Sequence, residues 1–274
     1  GTEADNWSIK SLFNKGIVIA PKSRSINDVL DSCIKHQAEV LPTTPTFLRM
    51  MLLSGAIPKK IPASLKIITY GTERMDQPTL DELCKLLPNV DFRQTFGMSE
   101  LGIVRVKSKK RDSLFMKIGG EGVETRIVDK ILQIRSSTRM IGYLNAESPF
   151  TKDGWYDTKD IVEEEDGFYK VTGRISEVIN VGGLKFMASE VERIALNFPN
   201  VSLVKAISKN NPITGEHVEI LIEPSNFEAF DKTNFLSFMK KNLSPHMVPK
   251  RIKVGNVSVG HRFKKNWKWK LPII

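Results

Sequence analysis

The spacing of apolar residues changes its period near Gly119, and that change limits the folds open to this chain. Before it, short apolar runs alternate with stretches of helical spacing. Ile17 to Ala20, Glu39 to Leu41, Ser64 to Tyr70 and Asp91 to Thr95 predict strands. Between them, Asn27 to His36 places Val29, Leu30, Cys33 and Ile34 on one helical face, Pro45 to Leu53 opens with a helix-starting proline, and Leu80 to Leu87 has Asp76 and Asp81 near its start and Pro88 just past its end. Strands and helices in alternation predict an α/β layer with a largely parallel sheet. After Gly119, Val123 to Ile127, Lys130 to Arg135, Asp160 to Glu163 and Phe168 to Val171 are separated by Gly and Asp turns with no helical stretch, which predicts antiparallel pairing. Glu177 to Val181, a Gly182-Gly183 turn, a helix over Ala188 to Leu196, and strands over Val201 to Ile207 and Val218 to Glu223 then predict a small α+β unit. The best boundary lies near Gly173 to Ser176, giving an α/β part over 1–174 and a smaller α+β part over 175–274.

A chain of 274 residues is long enough for one large or two ordinary domains, and hydrophobic and charged fractions of 41% and 26% are those of a globular protein rather than a disordered one. Cys33 and Cys84 stand apart, with no CxxC pair or histidine spacing, so neither a disulfide framework nor a structural zinc site is indicated and a reducing, cytoplasmic setting is expected. No run reaches the roughly 18 apolar residues of a membrane span. The net charge of +10 suits phosphorylated ligands as well as nucleic acid or anionic membrane. Part of it comes from Lys250, Arg251, Lys253, Arg262, Lys264, Lys265, Lys268 and Lys270, interleaved with Trp267 and Trp269. Such a segment could grip single strands, but no RNP-like strand or helix-turn-helix accompanies it, and no nucleic-acid partner is expected.

Four constellations carry chemistry. Thr69-Tyr70-Gly71-Thr72-Glu73 ends a strand in a glycine turn, where an open backbone can approach a planar ring. Gln94-Thr95-Phe96-Gly97-Met98-Ser99-Glu100 gathers a flat aromatic face, a glycine, a phosphate-binding hydroxyl and a hard oxygen ligand for Mg²⁺. Gly154 to Asp160, followed by Gly173-Arg174, offers a carboxylate and a guanidinium of the kind that hold ribose hydroxyls. Ile179 to Lys185, with Gly182 and Gly183 adjacent, can lie against a narrow ligand arm, and Glu190 and Glu192 suit the positive end of the helix that follows. Each alone is equally legal as a plain turn or hairpin.

In this order they resemble the adenylate-forming superfamily of acyl-CoA synthetases, aryl-CoA ligases, luciferases and peptide-synthetase adenylation domains. Pro42 to Met51 resembles the substrate-pocket segment, Phe96 to Glu100 the family's Tyr-Gly-x-Thr-Glu, Trp155 to Asp160 its Tyr-x-Thr-Gly-Asp, and Gly173 to Glu192 its hinge and glycine loop. Pro212 to Glu216 and His246 to Pro249 also have counterparts, so the resemblance runs over about residues 7–274. It implies ATP/AMP, Mg²⁺ and CoA as ligands, and a fatty or aryl acid as substrate. By resemblance Gly71 and Thr72 line the adenine and acyl pocket, Phe96 and Gly97 lie near the adenine, Ser99 and Glu100 handle phosphate and metal, and Asp160 and Arg174 hold the ribose. Ser176 sits at the hinge, and Gly182, Gly183 and Lys185 border the pantetheine tunnel. Counting from Met247 to Pro249 places Lys265, rather than Lys264, at the catalytic lysine.

The sequence departs from the pattern in three ways. The family's Ser/Thr- and Gly-rich phosphate loop has no counterpart, so the chain reads as the C-terminal part of a large lobe followed by a mobile small lobe, a half enzyme expected to be incomplete or inactive alone. Lys159 stands where the family has glycine, and Phe96 replaces tyrosine. The implied function is acid activation through an acyl-adenylate with transfer to CoA, with a separate N-terminal half as a further partner. Loading of an acyl carrier protein and a non-catalytic assembly lobe are the alternatives.

Overall fold

The computed structural model describes residues 15–102 and 104–256, together with a backbone ladder pairing Ser258–Val259 with Lys265–Asn266. The chain divides into two compact units, Gly1–Val171 and Thr172–Ile274.

The first unit begins with the predicted alternation: α1 (Ile26–Lys35), β1 (Val40–Thr43), α2 (Pro45–Leu53), a short α3 (Ala56–Lys59), β2 (Ile67–Tyr70), α4 (Gln77–Leu86) and β3 (Asp91–Gln94). Strands β1, β2 and β3 pair in parallel in that order, with Thr43, Tyr70 and Gln94 level at their C-terminal ends. Local chemistry explains the helix starts. Ser25, Thr44 and Asp76 each accept a backbone N–H of the first turn through a side-chain oxygen, and a proline sits in the first turn of both α2 and α4. Arg111 closes α4 at the other end, donating to the carbonyls of Pro88 (3.0 Å), Leu87 (2.7 Å) and Cys84 (3.4 Å). The predicted strand at Ile17 to Ala20 does not form: these residues carry no secondary structure and Ile17 is 89% exposed. An apolar run becomes a strand only where a neighbouring ladder takes its backbone groups.

The remainder of the unit is a six-stranded sheet in the order β4 (Arg105–Ser108), β5 (Met116–Gly119), β9 (Phe168–Arg174), β8 (Tyr156–Glu165), β7 (Ile131–Ser136), β6 (Val123–Val128). Its hairpins turn on residues with positive φ, Asp129-Lys130 between β6 and β7 and Asp166-Gly167 between β8 and β9, the geometry that matches strand twist in two-residue loops. Leu101, Met116, Ile118, Leu132, Ile134, Val162 and Tyr169 form its core, and Phe96 packs against them.

In the second unit β10 (Val178–Val181), β11 (Leu184–Met187), β12 (Val201–Asn211), β13 (Gly215–Pro224) and β14 (Arg251–Val254) form one sheet, with β13 paired to β10, β12 and β14. Helices α5 (Ala188–Leu196) and α6 (Lys232–Asn242) bury Val191, Ala195, Phe235 and Met239 in a core shared with Val204, Ala206, Ile220 and Ile222. Both cysteines are free. Among the described residues no helix is long and apolar enough to cross a membrane.

Candidate active site

The turns after β2 and β3 meet because their strands end level. Thr95 N–H donates to Tyr70 O at 2.7 Å, and the Thr95 hydroxyl donates to the same carbonyl at 3.2 Å. A Cβ on Gly71 would lie 1.9 Å from Thr95 Oγ1 and 2.8 Å from Thr95 O, so the space that the missing side chain frees is filled by Thr95 rather than left open. Thr72, at φ 65°, turns the chain through left-handed backbone, and Glu73 Oε2 accepts the Thr46 N–H at 3.3 Å, tying this turn to the start of α2. Tyr70 is buried, its hydroxyl has no hydrogen-bond partner among the described residues, and burial followed by the nearby Cys84 thiol holds its pKa above the ordinary phenol value.

Phe96 is partly buried on the core of the six-stranded sheet, while Gly97 and Ser99 are exposed and no described residue stands within 4 Å of a Cβ on Gly97. Glu100 follows in a tight turn closed by Leu101 N–H to Met98 O at 3.2 Å. Its carboxylate Oε1 accepts the Tyr143 hydroxyl, and that hydrogen bond is the leading cause of an upward shift in the tyrosine pKa. Backbone bonds hold the same pair of segments: Met140 N–H donates to Glu100 O at 2.9 Å and Thr138 Oγ1 to Leu101 O at 3.1 Å. Gly102, at φ 72°, permits this approach, since a Cβ there would stand 2.7 Å from Thr138 O.

Asp160 is 3% exposed on β8. The β7–β8 register shifts between Ile131↔Ile161 and Gln133↔Asp157, so β8 carries extra residues around Thr158 to Asp160. Lys159 takes the left-handed backbone this bulge requires, φ 62°, a conformation glycine adopts without steric cost. Its ammonium is directed to Asp157 at 3.1 Å, and Thr158 Oγ1 donates to Leu132 O at 2.7 Å while accepting Asp160 N–H at 3.1 Å. Just upstream, the Trp155 ring is stacked with two guanidiniums, those of Arg126 and Arg135, 4.3 and 5.0 Å from its centroid.

In the second unit Arg174 is exposed and its backbone N–H donates to Glu177 Oε2 at 3.3 Å; Ser176 is exposed in the following turn. Gly173 is buried, and a Cβ there would meet Met187 Cε at 2.1 Å. Gly182 and Gly183, at φ 60° and 87°, make the two-residue turn of the β10–β11 hairpin, with no described residue within 4 Å of either Cβ position. Lys185 is exposed opposite Asn180. Glu190 does cap its helix, accepting Met187 N–H at 2.9 Å, but Glu192 instead accepts Ala206 N–H of β12 at 3.0 Å. Lys265 pairs with Val259 through its backbone, and its side chain, like that of Lys264, lies outside the described residues.

The structure therefore sets Thr95, in the turn after β3, against Gly71, in the turn after β2, with Phe96, Gly97, Ser99 and Glu100 following in the same segment; Asp160 lies on a bulge of the same unit, and Arg174, Gly182, Gly183 and Lys185 lie in the second. The donor set fits the ligands in kind. A buried carboxylate suits ribose hydroxyls, the open double glycine leaves room for a slender arm, and one carboxylate is enough for a Mg²⁺ ion that draws its other ligands from phosphate and water. Sequence reasoning named Thr95 but gave it no role against Gly71, and it missed Tyr143. Thr95 lay beside the glycine motif, but no spacing rule links Tyr143 to a carboxylate 43 residues earlier.

A model of the AMP-binding enzyme family matches residues 12–149, enclosing Gly71, Thr72, Phe96, Gly97, Ser99 and Glu100. The chain belongs to the AMP-binding enzymes. It is 26% identical over 225 residues to 4-coumarate–CoA ligase 1 of Glycine max, a match covering 73% of this chain and 76% of that one. It is 27% identical over 241 residues to a salicylyl-CoA synthase/salicylate adenylyltransferase of a Streptomyces species, covering 78% and 43%. The fold is that of ATP-bound MatB from Rhodopseudomonas palustris, with a TM-score of 0.81 at 20% identity over 93% of this chain and 54% of that one. The chain thus spans about half the length of several of the relatives it matches.

Proposed function

We propose that this AMP-binding enzyme takes part in an acid–thiol ligase reaction: a carboxylate attacks the α-phosphorus of ATP to give an acyl-adenylate and pyrophosphate, and the acyl group then passes to the thiol of CoA with AMP as the leaving group. The observation that carries this reading is the family match across both strand-end turns, residues 12–149, with relatives named as CoA ligases. Those relatives' substrates make an aryl acid the first class to try, with fatty acids next.

In this reading Asp160 accepts the ribose hydroxyls and Arg174 donates to them, while Phe96 packs beside the adenine and the turn at Gly71-Thr72 borders the acyl group. Ser99 donates to the α-phosphate. Glu100 would hold magnesium, which when bound would supply neutralisation of the charge that grows on the phosphate oxygens as pyrophosphate leaves. Lys265 adds its ammonium to that task, and transfer to the thiol proceeds with Gly182, Gly183 and Lys185 along the pantetheine arm. The second unit serves as the mobile lobe, pivoting at Arg174 to Ser176 between the two steps.

The open edge of the parallel sheet supports a further partner, a separate polypeptide that pairs there. Among the described residues β1 is an edge of the parallel sheet, with Val40 39% and Ile34 46% exposed beside it, and parallel sheets are stable when covered. The test is carboxylate-dependent pyrophosphate release by the chain alone and with the N-terminal half of a relative added in trans, using 4-coumarate, salicylate and a fatty-acid series. Release that Lys265→Ala abolishes is expected in the supplemented mixture. No release with any acid in either mixture overturns the assignment.

A further inference from the structure

We infer that Tyr143 is a positioning residue for Glu100, a phenol that fixes the orientation of the metal-binding carboxylate; this rests on the reading of Glu100 given above. Three bonds converge on the Glu100 turn from one segment: Thr138 Oγ1 to Leu101 O at 3.1 Å, Met140 N–H to Glu100 O at 2.9 Å, and the Tyr143 hydroxyl to Glu100 Oε1. The segment itself is anchored at the end of β7, where fully buried Ser136 bonds Thr138 through their hydroxyls at 2.9 Å. The two backbone-directed ties set where Glu100 sits. Only the Tyr143 bond acts on the carboxylate.

A glutamate side chain on a surface turn samples several rotamers, and a metal ion must select one. A donor on Oε1 makes that selection in advance and leaves Oε2, which accepts no hydrogen bond among the described residues, to face a cation. Groups that orient metal ligands in this way commonly change metal affinity by about 10–100-fold when removed. Tyr143 is flanked by Ile141 and Leu144, exposed to 104% and 101%, so the loop gains little from burial at this point and the hydroxyl is what ties its tip to the site.

The experiment is calorimetric titration of the 274-residue chain with ATP at a series of Mg²⁺ concentrations. The variants are Tyr143→Phe, Glu100→Gln, the double variant, and Ile141→Ser as a loop control. Tyr143→Phe is expected to raise the Mg²⁺ concentration at half effect about tenfold and to leave metal-free ATP affinity unchanged. Glu100→Gln should remove the Mg²⁺ response, the double variant should match it, and Ile141→Ser should behave as the parent. Circular dichroism of each variant separates misfolding from a lost tie. A Tyr143→Phe protein with the parent's Mg²⁺ response, alongside a Glu100→Gln protein that has lost it, overturns the positioning role alone. Mg²⁺-independent ATP binding in the parent overturns the metal role of Glu100 and this inference with it, and absence of ATP binding at every Mg²⁺ concentration refutes the nucleotide site itself.

Discussion

Replacing Gly71 by alanine separates two reasons a glycine could stand at this strand end. Its backbone lies outside the left-handed region, so alanine meets no conformational penalty and the whole cost is collision. The added Cβ falls 1.9 Å from Thr95 Oγ1, 2.8 Å from Thr95 O and 3.2 Å from Thr95 Cβ. Rotating the hydroxyl away relieves only the first contact and gives up its bond to Tyr70 O, worth about 1 kcal/mol. The others require β2 and β3 to move apart where Thr95 N–H holds Tyr70 O, a repacking that costs about 1–3 kcal/mol. Alanine's stiffer unfolded chain returns about 0.4–1 kcal/mol. The net expectation is a loss of about 2 kcal/mol, or roughly 4–8 °C in Tm for a unit of this size. Thr95→Ala alone should cost about 1 kcal/mol, and the double variant should cost at least about 1 kcal/mol less than the sum, because the worst contact is gone. Urea unfolding followed by tryptophan fluorescence measures all four corners. Additive losses, or a Gly71→Ala protein of unchanged stability that no longer binds nucleotide, would show that the glycine is kept for a ligand's approach and not for Thr95.

At Lys159, glycine relieves the left-handed backbone but loosens the unfolded chain by a similar amount and gives up one exposed ion pair, so Lys159→Gly should leave stability within about 0.5 kcal/mol in a denaturant midpoint, whereas Lys159→Val should lose about 1–2 kcal/mol. Arg111→Ala removes three donors from the carbonyls at the end of α4 and should cost about 2 kcal/mol in thermal unfolding; Arg111→Lys should recover less than half, because an ammonium cannot fork to Leu87 and Pro88 together. Burial by itself would raise the Glu219 pKa, but Lys253 at 3.1 Å, Arg251 at 3.7 Å and His217 at 3.5 Å outweigh it and the net shift is downward. A depressed carboxylate contributes stability above its unfolded pKa and loses it as pH falls through the folded value. Glu219→Gln should therefore destabilise by about 2 kcal/mol at pH 7, with the gap closing below the ordinary glutamate range; a gap that is flat from pH 7 to acid contradicts the ion-pair account.

What the sequence made readable was what local chemistry decides. Pro45 to Leu53 and Ala188 to Leu196 form helices over those spans because a proline and Thr44 start one and Glu190 closes the cap of the other. The antiparallel segment was legible from its Asp and Gly turns, since these residues tolerate the positive φ that two-residue hairpins need. Ile17 to Ala20 misled because four apolar residues carry no information about a partner strand. Strands β4 and β5 were missed: Arg105–Ser108 is too rich in charge to stand out, and its place at the sheet edge is a tertiary fact. Helix α6 was missed although Asp231 caps it and Phe235 and Met239 share its buried face at i, i+4 spacing, signals that were present. At the site, residue types were legible and their surroundings were not. Lys159 stands where the family has glycine, and the bulge explains why a left-handed residue belongs there. Gly71 was expected to leave its backbone open, yet Thr95 occupies the space, a contact set by the register of β2 and β3.

The central claim is that this chain holds a nucleotide-binding acyl-adenylate site. Isothermal titration with a non-hydrolysable acyl-adenylate mimic and Mg²⁺, run on the parent and on Asp160→Asn checked for native circular dichroism, tests it most directly. Binding by the parent that weakens at least about tenfold in the variant, the scale of losing a charge-assisted bond to the ribose hydroxyls, is the predicted result. No heat from either protein, or equal affinity in both, contradicts it.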